Sequence, residues 1–276
     1  MAILSGIQTH LSGSAGAWTF YNRLGTTVAK EKVEPQRRKK LSDKQLDHIA
    51  RWGSLVTFWS HTEGSLRGGF RHKQRGQSDF NLFTAANFKD NSVFLTREMM
   101  RKGACVAAPY QLTDGSLPTI RVGESGDGRV RTDIRLGDDF LVTPDTPIRE
   151  VGLAIVDNNS GFRHGDSLFC IVMEQLEEER WNVPQVKVKT NTLPIDLGKR
   201  DSLSTLSDSW GMFSNVEGFL GAARPLRGGI AWIHTRPHRS GLAVSTQWMF
   251  VSGDPAVPYS TPAALAAAKE SYSRKT

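Results

Sequence analysis

Residues 164–176 read HGDSLFCIVMEQL, and residues 184–193 read PQVKVKTNTL. The first carries an unbroken apolar run from Leu168 to Met173 and predicts a buried strand. The second alternates apolar with polar or charged residues and predicts a half-exposed strand. Three more runs follow, GFLGAARPL (218–226), GIAWIHT (229–235) and LAVSTQWMFV (242–251). They read as a meander whose last turn is RPHRSG (236–241). Ahead of the opening pair, TPIREVGLAIVDNN (146–159) predicts one helix, with Pro147 near its start and Asn158–Asn159 at its end. Further upstream, ACVAAPYQL (104–112), the turn TDGS (113–116) and LPTIRV (117–122) predict a hairpin. GESGDGR (123–129) is a loop leading into VRTDIRL (130–136), and a Thr261-capped, Ala-rich helix, PAALAAAKESYS (262–273), comes last.

Before residue 104 the period is different. SGSAGAWTFYNRLGTTVAKEKV (12–33) reads as a hairpin, its two arms separated by the turn residues NRLG. In LSDKQLDHIARW (41–52), Ser42 and Gln45 have the spacing of a capping box. Leu46, Ile49, Ala50, Gly53 and Val56 then share one helical stripe, with Trp52, Leu55 and Trp59 beside it; Trp52 and Trp59 are expected in the core. Gly64, Gly68 and Gly69 are read as the break after this helix. Ser78 caps a second helix, DFNLFTAANF (79–88), and TREMMRKG (96–103) gives a short third. The expected fold class is α+β in three parts: a hairpin and basic arm (1–40), a basic helical region (41–103), and an antiparallel β-rich domain with one inserted helix and a C-terminal helix (104–276).

Composition narrows the function classes. Hydrophobic residues at 38% and charged ones at 23% fit a globular chain, and no run approaches the roughly 20 apolar residues of a membrane helix. The opening MAILSGIQTHLSGSAGAW lacks the cationic start and apolar stretch of a signal peptide, so a cytoplasmic location, or one inside an assembled particle, is expected. Cys105 and Cys170, each inside an apolar run, read as reduced core residues.

Catalytic constellations do not emerge. No HExxH, paired CxxC, EF-hand loop, nucleophile elbow or phosphate-binding GxxxxGK[ST] occurs. GESGDG lies between strands with no helix after it to receive a phosphate, and Asp138–Asp139 and Glu177–Glu179 sit beside turns. His234 and His238 fall in IHTRPHR, read as a turn; a metal there would need a third ligand such as His164 or Asp166. Surface-loop histidines are the expectation, with no cofactor and no metal.

Charge is the feature above background. Residues 1–103 hold 17 Lys/Arg against 8 Asp/Glu, a balance of +9; residues 104–276 hold 18 against 20, a balance of −2; together they give the net +7. Such asymmetry points to a polyanion or an acidic surface as partner of the N-terminal part. The candidate phosphate-contacting cations are Arg37, Arg38, Lys39 and Lys40, then Arg71, Lys73 and Arg75. Trp18, Phe20 and Tyr21, in the hairpin beside the cations, are candidates for a subunit contact, with base stacking as the other use of the same rings.

LSGSAGAW (11–18), the short hairpin and basic residues after it, LSDKQLDHIARW (41–52) and GFRHKQRGQSDFN (69–81) together resemble a family of bacterial proteins of undefined function. Its members are associated with gut Bacteroidetes and their phage-like or mobile elements. They begin with an SGK-G type hairpin, continue into an NP-T-x-AQ-x-x-R helix and contain a GF…FN segment. The likeness covers about the first 100 residues, and this chain departs from it at Lys40-Leu41-Ser42, where the family has Asn-Pro. The resemblance implies a mobile-element or virion context and supplies no catalytic residue. The expectation is therefore a non-enzymatic structural or assembly protein, a homo-oligomer or part of a larger assembly that associates through its N-terminal hairpin. A nucleic-acid-binding accessory protein is the alternative, and neither reading involves a membrane.

Overall fold

A computed structural model describes residues 2–4, 12–23, 26–32, 40–176, 182–206, 211–224, 226–239 and 241–273. The chain forms two units, one up to Leu41 and one from Ser42 onward. In the first, β1 (Ala2–Leu4), β2 (Gly13–Ala15), β3 (Trp18–Arg23) and β4 (Thr26–Glu31) make an antiparallel sheet in the order β1-β4-β3-β2. The predicted hairpin is its β3–β4 centre, in register from Trp18↔Glu31 to Arg23↔Thr26.

The second unit begins with α1 (Asp43–Leu66), capped as expected: the Gln45 amide donates to Ser42 Oγ and the Ser42 amide donates to Gln45 Oε1. Gly64 lies inside this helix, and the chain breaks at Gly68, whose φ of +83° no β-carbon favours. Next come α2 (Asp79–Asn87), capped by Ser78, α3 (Arg97–Arg101), β5 (Gln111–Thr113), β6 (Val122–Glu124), β7 (Val130–Arg135) and α4 (Ile148–Asn158). Strands β8 (Ser167–Leu176) and β9 (Gln185–Pro194) follow, then β10 (Ser214–Val216), β11 (Phe219–Gly221) and β12 (Gly228–His238). The remaining elements are β13 (Gly241–Val244), β14 (Gln247–Trp248), β15 (Phe250–Ser252) and α5 (Pro262–Ser273). The fold is α+β.

A five-stranded sheet organises this unit. β8 pairs with β9 along its whole length and with β12 from Ser167 to Glu174, while β13 and β15 take opposite ends of β12. Side chains of a strand alternate between faces, and here both faces are covered. Ile171, Met173, Ala231 and Ile233 pack on Leu55, Phe58, Trp59 and Leu66 of α1 and Phe83 of α2. Leu168, Cys170, Val172, Ile230 and Trp232 pack on Ile148, Val151 and Ile155 of α4 and on Val130, Ile134 and Leu220 of a second sheet, ordered β10-β11-β7-β6. No boundary therefore falls at 103/104: residues on both sides of it share one core.

The predicted hairpin over 104–122 does not form. Ala104–Ala108 runs buried without strand pairing; the Cys105 amide donates to Pro184 O at 2.9 Å and the Ala107 amide to Gln175 Oε1 at 3.1 Å. Pro109 and Pro118 each lack an amide, so the two arms cannot share a regular ladder. β5 instead pairs with β14, and β6 pairs forward with β7 across GESGDGR. Asp127 orders that turn, accepting from the Ser125 hydroxyl at 2.5 Å and the Arg129 amide at 3.0 Å.

α1 is held from its other side by Asn91. The Asn91 amide donates to Arg51 O at 2.7 Å and Ser54 Oγ at 2.8 Å; its oxygen accepts from Tyr110 Oη at 2.7 Å and the Val93 amide at 3.0 Å. The side chain is 1% exposed and fully satisfied. Trp59 is buried as expected, but Trp52 stands 39% exposed, with Phe80 edge-on at 5.5 Å, because α1 turns Leu55, Phe58 and Leu66 toward the sheet. Replacing Asn91 by Ala strands the Tyr110 hydroxyl and the Val93 amide in the core. Urea unfolding is expected to show a loss of about 3 kcal/mol, since each buried orphan costs about 1–3 kcal/mol; a loss below about 1 kcal/mol would remove Asn91 from this role.

Candidate functional site

The aromatic candidates of the N-terminal sheet divide between its two faces. Trp18 and Phe20 are two apart on β3 and share one face; Tyr21 points to the other, opposite Val28. Trp18 is 47% exposed and Phe20 and Tyr21 are half-buried, so Trp18 offers the largest ring surface. β2 is an edge strand, and Gly13, Ser14 and Ala15 are all exposed.

Four of the seven cationic candidates, Lys40, Arg71, Lys73 and Arg75, lie among the described residues. Arg37, Arg38 and Lys39 lie outside those residues, and Lys40 is exposed. Lys73 is committed locally: its Nζ lies 2.8 Å from Asp79 Oδ1, and the Gly68 and Phe70 amides also donate to the Asp79 carboxylate. Burial pushes the Asp79 carboxyl up, but Lys73 and the two amides outweigh it and hold the group below its ordinary value. Asp79 thus closes the loop from Gly68 to the start of α2 around itself. Arg71 and Arg75 stay exposed, with the Arg71 guanidinium against Gly241 of β13. Lys102, another cation of the first 103 residues, pairs with Glu98 at 3.0 Å.

His234 corrects the surface-loop reading. It lies inside β12, 1% exposed, and its Nε2 donates to Asp166 Oδ2 at 2.8 Å. Arg236 forks onto the same carboxylate through Nε and Nη2, both at 2.7 Å, and also donates to Gly161 O. The Arg163 amide adds a fourth donor at 3.1 Å, and the Phe162 ring stacks 4.3 Å from the imidazole. Asp166 thereby pins the 161–166 loop to β12. His238 is exposed at the end of that strand, and His164 is exposed on the loop, receiving a bond from the Leu197 amide. Among the described residues no three His, Cys, Asp or Glu side chains are grouped to hold a metal ion. Cys105 and Cys170 are free thiols in the core.

A groove of about 280 Å³ lies between Gly68–Gly69 and strands β8, β12 and β13. Its lining is apolar and hydroxyl-bearing, with Arg67 as its charged member, and gathers no acid–base pair. No helix among the described residues is long and apolar enough to cross a membrane. Comparison with protein-family models, with curated proteins and with solved structures finds no match for this chain.

The buried trio sets a direction for pH dependence. Burial pulls the His234 imidazole below its ordinary 6.5, outweighing the Asp166 partner that raises it. Burial pushes Asp166 up, but Arg236, His234 and the Arg163 amide together hold it below its ordinary 3.8. Both folded values are depressed, so stability is complete above 6.5 and is lost as pH falls, first as the unfolded imidazole takes up a proton and then below 3.8. Urea midpoints between about pH 7.5 and 5 should decline for the wild type, and the decline should be shallower for His234→Gln, which has no imidazole to charge in the unfolded chain. Equal slopes would show that His234 does not govern this window.

Proposed function

We propose that this protein is a non-enzymatic assembly subunit that associates with further copies through its N-terminal sheet. The carrying observation is the small size of that unit set against what it exposes. Chains below about 40 residues seldom hold a fold without disulfides, metals or a partner. The unit up to Leu41 stands at that limit and has no cysteine, both of which lie at 105 and 170. Yet it presents Trp18 and an edge strand, β2, whose every residue is exposed. A sheet of this kind gains most by adding to another sheet, where main-chain hydrogen bonds supply affinity. A phage-like particle as the setting rests on the resemblance of the first part of the chain alone.

Light scattering after size exclusion, on nuclease-treated protein, tests the reading. The full chain should run as an oligomer. A chain lacking residues 1–33 should keep its circular dichroism and thermal midpoint but lose mass to the monomer. Unfolding of the shortened chain would make the sheet part of the chain's own core and overturn the reading. Association that vanishes with nuclease alone would overturn it in favour of nucleic acid bridged by the basic arm.

A further inference from the structure

Antiparallel strands turn alternate main-chain groups toward each neighbour. On β8, the Gln175 amide donates to Arg227 O at 3.0 Å on the β12 side, so the even-numbered residues of β8 face β9. The Ile195 amide, donating to Asp166 O at 2.8 Å, keeps the same phase past the end of β9. Lys187, Lys189, Asn191 and Leu193 therefore pair with β8, opposite Glu174, Val172, Cys170 and Leu168. Val186, Val188, Thr190 and Thr192 turn their amides and carbonyls away from the sheet. The Thr192 amide is taken by Asn191 Oδ1 at 2.8 Å, and Pro194 has no amide. The outward amides of Val186, Val188 and Thr190 have no hydrogen-bond partner among the described residues.

β9 is thus a ten-residue edge with three successive outward amides, the arrangement that templates a further strand. It is also firmly held, because Val186 and Val188 pack against the main core. Two β9 edges laid together would set Lys187 and Lys189 of one copy near those of the other, which like charges oppose. β2 carries no such penalty: Gly13, Ser14 and Ala15 are uncharged, small and exposed.

We propose that β9 is the acceptor edge for the N-terminal sheet of a second copy, with β2 lying along Val186–Thr190. The inference rests on the assembly reading above and names the surface it lacked. Donor and acceptor are different surfaces, so each copy gives one β2 and takes one β2, either reciprocally in a closed pair or head-to-tail in a ring or filament.

Thr190→Pro tests the edge directly. Proline removes an outward amide and leaves the β8 pairing intact, since that pairing uses the odd-numbered residues, and edge strands accept proline where the amide faces solvent. Thr190→Val, which keeps the amide, is the control. Wild type and Thr190→Val should scatter as oligomers; Thr190→Pro and the chain lacking residues 1–33 should scatter as monomers with near wild-type thermal midpoints. Hydrogen exchange at Val186, Val188 and Thr190 should be slow in the wild type and at least about tenfold faster in the shortened chain. If Thr190→Pro associates like wild type while the shortened chain does not, β9 is not the acceptor and the assembly reading stands. If Thr190→Pro dissociates and the shortened chain does not, β9 takes another strand and the pairing is wrong. A monomeric wild type overturns both readings. Should Thr190→Pro misfold, exchange rates unchanged between wild type and shortened chain still overturn the proposal.

Discussion

The pairing of β8 with β12, buried on both faces, is the constraint on which the second unit depends. Backbone groups inside such a layer have no water to turn to, so the eight registered pairs from Ser167↔Thr235 to Glu174↔Gly228 must form together. Once they form, each face is an apolar surface that needs a cover. α1 and α2 cover one, and α4 with the β10-β11-β7-β6 sheet covers the other. Trp232, fully buried on the second face, donates its indole N–H to Met212 O at 2.9 Å, so even the largest side chain there brings no unpaired polar atom.

Two acids shape what surrounds this layer. Asp79 gathers Lys73 and two amides at the start of α2; Asp166 gathers His234, Arg236 and the Arg163 amide at the end of β8. In each case a carboxylate, buried at Asp166 and half-buried at Asp79, fixes a loop, and the cations paired with it serve the fold. A count of cations along the chain overstates the charge free to meet a partner for this reason. Arg71, Lys73 and Arg75 are all exposed, and of the three Lys73 is paired with Asp79.

What was legible in the sequence was local. The capping box of α1 spans four residues, and the β3–β4 register follows from a single turn, so both could be read directly. The unbroken apolar run of β8 announced a buried strand, and the structure covers both of its faces. Trp52 and Trp59 sit on the same helix, and which one is buried depends on where α2 and the sheet lie, which no helical wheel contains. The segment 104–110 is as apolar as a strand, but its amides go to Pro184 and to the Gln175 side chain, partners about 70 to 80 positions away. His234 was hidden most completely. Its neighbours in sequence look like a turn, and the carboxylate that explains it lies 68 positions earlier. The outward amides of β9 had no sequence signal beyond the alternation of the strand itself, because an unpaired edge is a property of the sheet order.

The β5–β14 pairing joins Thr113 to Gln247, and two more bonds stretch as far: Phe94 N to Tyr259 O and Arg97 N to the Ser271 hydroxyl. These close the helical half of the second unit with residues from the last thirty of the chain. A ribosome-bound chain that has not released those residues holds α1, α2 and the 104–112 segment without their lid, and contacts so distant in sequence are slow to form even in the free chain. The N-terminal sheet, by contrast, is built from pairings within 31 residues and emerges before the second unit. During synthesis the N-terminal sheet can therefore complete its own pairings before β9 is made.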